Sequence, residues 1–230
     1  MKTIGMIGGT GWTSTLEYYR IINQETNRRL GGLNSAKIIL SSFNYSEIDV
    51  LNKKDDHAGI YKLVLDAAQR LKKASIDFLI ICANTMHQYV DAIENETGLK
   101  VVHIADATAE EIKKKNIPKI GLLGTRFTME MDFYKERFKK FGIESIVPDK
   151  PEREFIHSAI MDELLKEIFK SETKNKFHKI IDDLQNKGAE GIVLGCTEIP
   201  LLIKQKDVSI PVFNTLEKHA IAAVDFSLKN

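Results

Sequence analysis

Lys2-Thr3-Ile4-Gly5-Met6-Ile7-Gly8-Gly9-Thr10-Gly11 and, in the second half, Lys119-Ile120-Gly121-Leu122-Leu123-Gly124-Thr125-Arg126-Phe127-Thr128 follow one plan. Each is a short apolar run closed by glycine and threonine. Such a run, bounded by turn residues, reads as a buried strand. A second pair repeats the device: Asp77 to Thr85 ends Cys82-Ala83-Asn84-Thr85, and Glu190 to Glu198 ends Gly195-Cys196-Thr197-Glu198. Ile4 lies 79 residues before Ala83, and Ile120 lies 76 before Cys196. The chain therefore carries one strand-turn arrangement twice, and two lobes of similar fold are the simplest account.

Helical patterns fill the intervals. Thr13 caps a helix running to about Arg29, where Gly31-Gly32 stops it. Ala36 to Ser41 reads as a buried strand. Ile60, Leu63, Val64, Ala67, Ala68 and Leu71 fall on one helical stripe. Residues 105–116, 128–142, 152–169 and 174–187 are further helices, Ile210 to Phe213 a last strand, and 215–228 a last helix. Alternation of strand and helix predicts an α/β fold of parallel sheets with helices on both faces. The last strand and helix are expected to return to the first lobe, giving lobes 1–106 plus 208–230 and 107–207.

Composition excludes several classes. With 33 basic and 32 acidic residues the net charge is +1, so no basic surface argues for nucleic acid. The runs Lys113-Lys114-Lys115 and Lys139-Lys140 read as solvated helix faces. No apolar run nears the roughly 20 residues of a membrane span. The N-terminal residues enter a strand pattern without a charged-then-apolar leader, and there are two cysteines. A cytoplasmic protein with reduced thiols is expected, without a disulfide framework. The six histidines have no metal-ligand spacing. Gly5-x-x-Gly8-Gly9 is not the dinucleotide fingerprint.

In open parallel sheets ligands bind beyond the carboxyl ends of the strands. Small polar residues stand at four such ends: Gly8-Gly9-Thr10, Ala83-Asn84-Thr85, Gly124-Thr125 and Cys196-Thr197. If the lobes face one another, these meet in one cleft. Free amides where Asn84-Thr85 and Thr197-Glu198 begin the next turn would hold a carboxylate, and would lower the pKa of a nearby thiol. Cys196 follows Gly195 at a strand end beside polar residues, as a nucleophile or base does. Cys82, after Leu79-Ile80-Ile81, sits where a cysteine is as often a small buried hydrophobe.

Ile-Gly-x-x-Gly-Gly at the start, Asn84-Thr85-Met86-His87 after a buried strand, and Gly195-Cys196-Thr197-Glu198 in the second half resemble the aspartate/glutamate racemase family over essentially the whole chain. The segments Leu122–Glu130 and Ala36–Asp49 are similar to its broad-specificity amino-acid branch. The resemblance implies two flavodoxin-like lobes related by a pseudo-twofold, with the active site between them. It implies racemisation of amino acids such as aspartate or glutamate without pyridoxal phosphate or metal. One cysteine, as thiolate, removes the α-proton, and a thiol on the other face returns one. The resemblance further assigns substrate contacts to Thr10, Asn52, Ala83, Asn84, Thr85, Thr125 and Thr197, with Glu198 orienting Thr197 or tuning Cys196. It makes an amino acid the small-molecule partner and admits a homodimer. Lys166 lies near the place of a substrate-holding base in acidic-substrate members, although a solvated lysine is the better reading. Those members also carry an arginine soon after the second strand, and here none lies between Arg29 and Arg70.

One departure matters. The family's first cysteine immediately precedes Asn-Thr, and here that place is Ala83. Aligning Asp77 with Glu190 pairs Ala83 with Cys196, whereas aligning Ala74 with Gly188 pairs Cys82 with Cys196. The first is preferred, and strand alternation then turns Cys82 away from Ala83. The second proton-transfer group is left open among Cys82 at an irregular strand end, a hydroxyl of Thr85 or Thr10, and water. The alternatives to a racemase are a single-cysteine decarboxylase of the arylmalonate type and a non-catalytic amino-acid-binding regulator.

Overall fold

The computed structural model describes residues 1–229. By contacts the chain divides into two units, Met1–His103 with His219–Asn230, and Ile104–Lys218.

In the first unit, the strand Ile4–Gly8 (β1) leads into the helix Trp12–Leu30 (α1) and the strand Ile38–Ser42 (β2). Helices Tyr45–Lys53 (α2) and His57–Lys73 (α3) precede the strand Phe78–Ile81 (β3). A 3-10 turn Thr85–Tyr89, the helix Val90–Thr97 (α4) and the short strand Lys100–Val101 (β4) follow. The sheet is parallel throughout, in the order β2-β1-β3-β4. β1 and β3 are central and buried along their whole length, which is why their sequences are continuous apolar runs rather than alternating ones. Gly9 closes β1 with φ +86, and a Cβ there would lie 2.2 Å from the Phe43 carbonyl, so only glycine fits.

The second unit opens with the helix Ile104–Lys114 (α5) and the strand Lys119–Gly124 (β5). Helices Arg126–Glu130 (α6) and Asp132–Lys140 (α7), the strand Glu144–Ile146 (β6), and the helices Lys150–Asp162 (α8) and Ser171–Asn186 (α9) follow. The strand Ile192–Gly195 (β7), the short helix Ile199–Leu202 (α10), the strand Val212–Asn214 (β8) and the helix Thr215–Leu228 (α11) complete the chain. This sheet is also parallel, in the order β6-β5-β7-β8. Numbered within its unit, each sheet has the order second-first-third-fourth, so the repeat read from the sequence is a repeat of topology.

Several expectations need correction. α1 begins at Trp12 after Gly11 rather than at a Thr13 cap, and the helix expected over 152–169 ends at Asp162. The last strand does not return to the first sheet: β8 pairs with β7, register Leu194↔Asn214. The chain re-enters the first unit inside α11, at His219. The helix expected over 128–142 is two helices, because Met131 takes an extended conformation between α6 and α7.

Candidate active site

Functional side chains collect at the carboxyl edge of each sheet. In the first unit β3 runs in register with β1, Ile7↔Ile81, and the ladder continues one step further, the Cys82 amide donating to the Ile7 carbonyl at 2.8 Å. The strand end is therefore regular. Alternation places Leu79, Ile81 and Ala83 in one core cluster, with Ile60, Val64 and Leu71 of α3. Phe78 lies on the opposite face, its ring 4.7 Å from that of Phe226 in α11, and by parity Cys82 shares that face. Cys82 is 1% exposed, and burial alone pushes its thiol far above the usual range. Cys82 is thus a core residue, and the route through an irregular strand end is not what the structure shows.

Ala83 and Asn84 are buried, and Thr85, Thr10 and Asn52 are half-buried. Thr85 opens the 3-10 turn, Thr10 follows the Gly9 bend, and Asn52 stands in the last turn of α2. Around the β1 turn the Gly9 amide donates to Thr15 Oγ1 at 2.9 Å, and that hydroxyl donates to the Gly11 carbonyl.

In the second unit β5 and β7 end side by side, Gly124↔Gly195. The approach is close: a Cβ on Gly195 would lie 2.9 Å from Thr128 Cγ2 and 3.0 Å from the Leu123 carbonyl. Thr125 caps α6, accepting from the Thr128 amide, and its hydroxyl meets that of Thr128 at 3.2 Å. Cys196 follows directly on β7. Its Sγ–H donates to Glu198 Oε2 at 3.0 Å, and Thr197 Oγ1 donates to the same oxygen at 2.8 Å. Cys196 and Glu198 are 6% and 5% exposed.

The sequence led us to expect an acidified thiol. The structure gives the reverse for the resting protein. Burial, then the Glu198 charge and its hydrogen bond, hold the Cys196 thiol well above its ordinary range, outweighing the amides of Glu198 and Thr197. Cys196 rests as a thiol with a carboxylate on its proton.

Sequence reasoning did not single out several neighbours. Tyr134 of α7 is fully buried, bonded to Thr215, and near enough to Cys196 for their charges to interact; burial keeps the phenol protonated. Thr215 Oγ1 in turn donates to the Leu194 carbonyl at 2.9 Å, tying α11 to β7. Arg126, one residue beyond Thr125, is exposed, with its amide donating to His157 Nδ1 at 3.4 Å. These partners lie tens of residues apart, so no local pattern announced them. Among the described residues no group of three or more His, Cys, Asp or Glu is arranged to hold a metal ion, and no helix is long and apolar enough to cross a membrane.

The family model for Asp/Glu/Hydantoin racemases matches residues 7–223. The chain belongs to that family. It is 47% identical to a Yersinia pestis protein assigned provisionally as an Asp/Glu racemase, whose crystal structure superposes with a TM-score of 0.94 over 100% of both chains. An aspartate racemase homologue from Pyrococcus horikoshii is 35% identical over 100% of both chains, TM-score 0.87. A glutamate racemase from Persephonella marina is 26% identical over 215 residues, 87% of this chain and 79% of that protein. This racemase-family chain is accordingly an enzyme of the isomerase class, and its two parallel four-stranded sheets are those of the family's structures.

Proposed function

We propose that the chain is a cofactor-independent racemase of aspartate, glutamate or a related amino acid, acting in the cytosol, with Cys196 as the group that takes the α-proton. The observation that carries this reading is the hydrogen bond from Cys196 Sγ–H to Glu198 Oε2 at 3.0 Å, at the end of a central strand. Glu198 supplies what a buried thiol lacks, a place for its proton. Transfer to Glu198 leaves a thiolate, and the thiolate removes hydrogen from the substrate α-carbon and becomes a thiol again. The planar carbanion then takes a proton on its opposite face from water, and the proton held by Glu198 neutralises the hydroxide that is left. The carbanion's carboxylate calls for hydrogen-bond donors, and each unit offers some at its strand ends, the amides of the Asn84-Thr85 turn in the first and the hydroxyls of Thr125 and Thr197 in the second. Arg126, exposed one residue beyond Thr125, offers a cation to a side-chain carboxylate, which favours acidic substrates.

The burial of Cys82 behind β3 gives weight to a second reading, because one thiol remains. A single-face decarboxylase needs only one. The test is incubation of L- and D-aspartate, glutamate and homoserine in deuterated water without added cofactor. The racemase reading expects α-deuteration of one of them, lost in Cys196→Ala. Exchange that survives this substitution removes Cys196 from the chemistry. Carbon dioxide released from substituted malonates, with no amino-acid exchange, selects the decarboxylase. Tight binding of an amino acid without either reaction selects a regulator.

A further inference from the structure

A cluster of buried titratable rings in the first unit is not used by the chemistry above. Tyr18 of α1 and His219 of α11 are fully buried, and His87 and His103 nearly so. Tyr18 Oη lies 2.8 Å from His219 Nδ1, and His219 Nε2 lies 2.7 Å from the Val102 carbonyl. A carbonyl can only accept, so His219 carries its hydrogen on Nε2 and Nδ1 accepts the phenol. The same rule gives His87 the other tautomer. Its Nδ1 is 2.8 Å from the Ala83 carbonyl and must donate, which leaves Nε2 bare. Among the described residues that Nε2 is buried without a hydrogen-bond partner.

A buried, unsatisfied ring nitrogen costs stability, and an apolar ring would fill the space without it. The donor on the other side of the ring is what an apolar residue could not supply. The His87 ring meets that of His103 at 4.8 Å and that of His219 at 5.2 Å, both edge-on. His103 is the last residue before the chain leaves the unit and His219 the first after it returns. One ring thus rests on both crossing points and grips the end of β3.

His87 holds two successive carbonyls. Its side chain donates to Ala83 O, and its own amide donates to Asn84 O at 3.1 Å. In a trans peptide the N–H points opposite to the C=O. Fixing those carbonyls therefore aims the amides of Asn84 and Thr85 away from His87. We infer that His87 is a positioning residue, whose Nδ1–H, braced by His103 and His219, aims the Asn84 and Thr85 amides at the substrate carboxylate.

That the ligand is a substrate carboxylate rests on the racemase reading; the bracing of the turn does not. The groups that bear on the His87 ring are His103 and His219, which oppose a positive charge, and the Ala83 and Asn84 backbone; no carboxylate is among them. The ring therefore stays neutral and the donor stays in place at working pH.

The test compares His87→Asn, whose Nδ2 can stand where Nδ1 stood, with His87→Gln and His87→Phe, which lack a donor there. Amide hydrogen exchange at residues 84–87 of the unliganded protein is expected to quicken by about tenfold or more in the Gln and Phe variants, with Asn close to wild type. KM is expected to rise about tenfold in the same two variants with a smaller change in kcat, since the carboxylate is held in ground and transition states alike. Equal exchange in all three variants overturns the inference, as does Asn behaving like Phe. Quickened exchange in a protein without turnover would sustain the bracing and count against the racemase reading alone. Should the variants not fold, nitrogen NMR of the wild-type histidines decides. Nδ1–H at His87 with Nε2–H at His219 is expected, and Nε2–H at His87 refutes the role.

Discussion

Lowering the pH from 7 to 5 should weaken this fold through its buried histidines, and His219 allows the size to be worked out. Burial takes its pKa from 6.5 to about 4, the hydrogen bond to Val102 opposing only in part. The unfolded chain therefore binds the proton more tightly than the folded one. Stability from this group is complete above pH 6.5 and is lost as pH falls toward 4. The loss comes to about 2 kcal/mol by pH 5 and about 3 kcal/mol by pH 4. The His87 pKa is lowered in the same direction, by burial first and then by His103 and His219, so its contribution adds. The window from 7 to 5 keeps carboxylates out of the account, since they titrate below it. Urea unfolding followed by circular dichroism at half-unit intervals gives the slope. His219→Gln, which can keep a donor toward Val102, should shed about 1.2 kcal/mol per pH unit of that slope between pH 6 and 5. Parallel stability curves for wild type and variant would refute the argument, because they would mean that His219 takes up its proton without opening the core.

Three further substitutions follow from the site. Glu198→Gln removes the charge that raises the Cys196 thiol, so thiolate absorbance near 240 nm should titrate at lower pH, while kcat falls by about 10²–10⁴ for want of a proton acceptor; an acidified thiol with unchanged kcat would end the role given to Glu198. Ala83→Cys sets a second thiol where the family resemblance implies one, and α-deuterium exchange from the slower enantiomer should gain about 10²–10⁴; no gain would show that the missing thiol does not limit the reaction. Gly195→Ala forces a methyl against Thr128 and the Leu123 carbonyl and should cost about 1–3 kcal/mol, seen as a lower Tm by calorimetry; an unchanged Tm would show that the junction of β5 and β7 can spread.

The central strands were legible because burial on both faces leaves an unbroken apolar run, and glycine-threonine punctuation marked where each stopped. Two of the edge strands were not. β4 has two residues and β6 three, one of them Glu144, too few and too polar to show a pattern. The place of β8 was misread because Val212–Asn214 fits either sheet, and only its ladder to β7 decides. Of the site, Cys196 and Glu198 stood out as a thiol and an acid two residues apart after a glycine. His87 stood in the Asn84-Thr85-Met86-His87 motif but its bracing was not readable, since the rings that meet it come from positions 103 and 219. Tyr18 and His219 are 201 residues apart. Tyr134 falls in the same group, as a phenol whose meaning depends on a strand end it does not adjoin in sequence.

The difference between the halves follows from the pleat. A cysteine one residue early on a regular strand faces the wrong core, and no small adjustment recovers it. Slipping β3 by one residue would bring Cys82 to the Ala83 face, but it would also carry Leu79 and Ile81 off the α3 cluster and Phe78 off Phe226. Each buried side chain of that size is worth about 1.5–3 kcal/mol, so a slip would consume much of the stability of a domain. The first half is thus committed to a strand end without a thiol, and what it offers instead is a turn with two carbonyls pinned by His87. The second half offers the opposite, a thiol pinned by Glu198 on a turn whose amides already face the sulfur. The repeated topology gives two similar strand ends. On the reading proposed here the second moves a proton, and the residue that keeps the first from doing the same is Ala83.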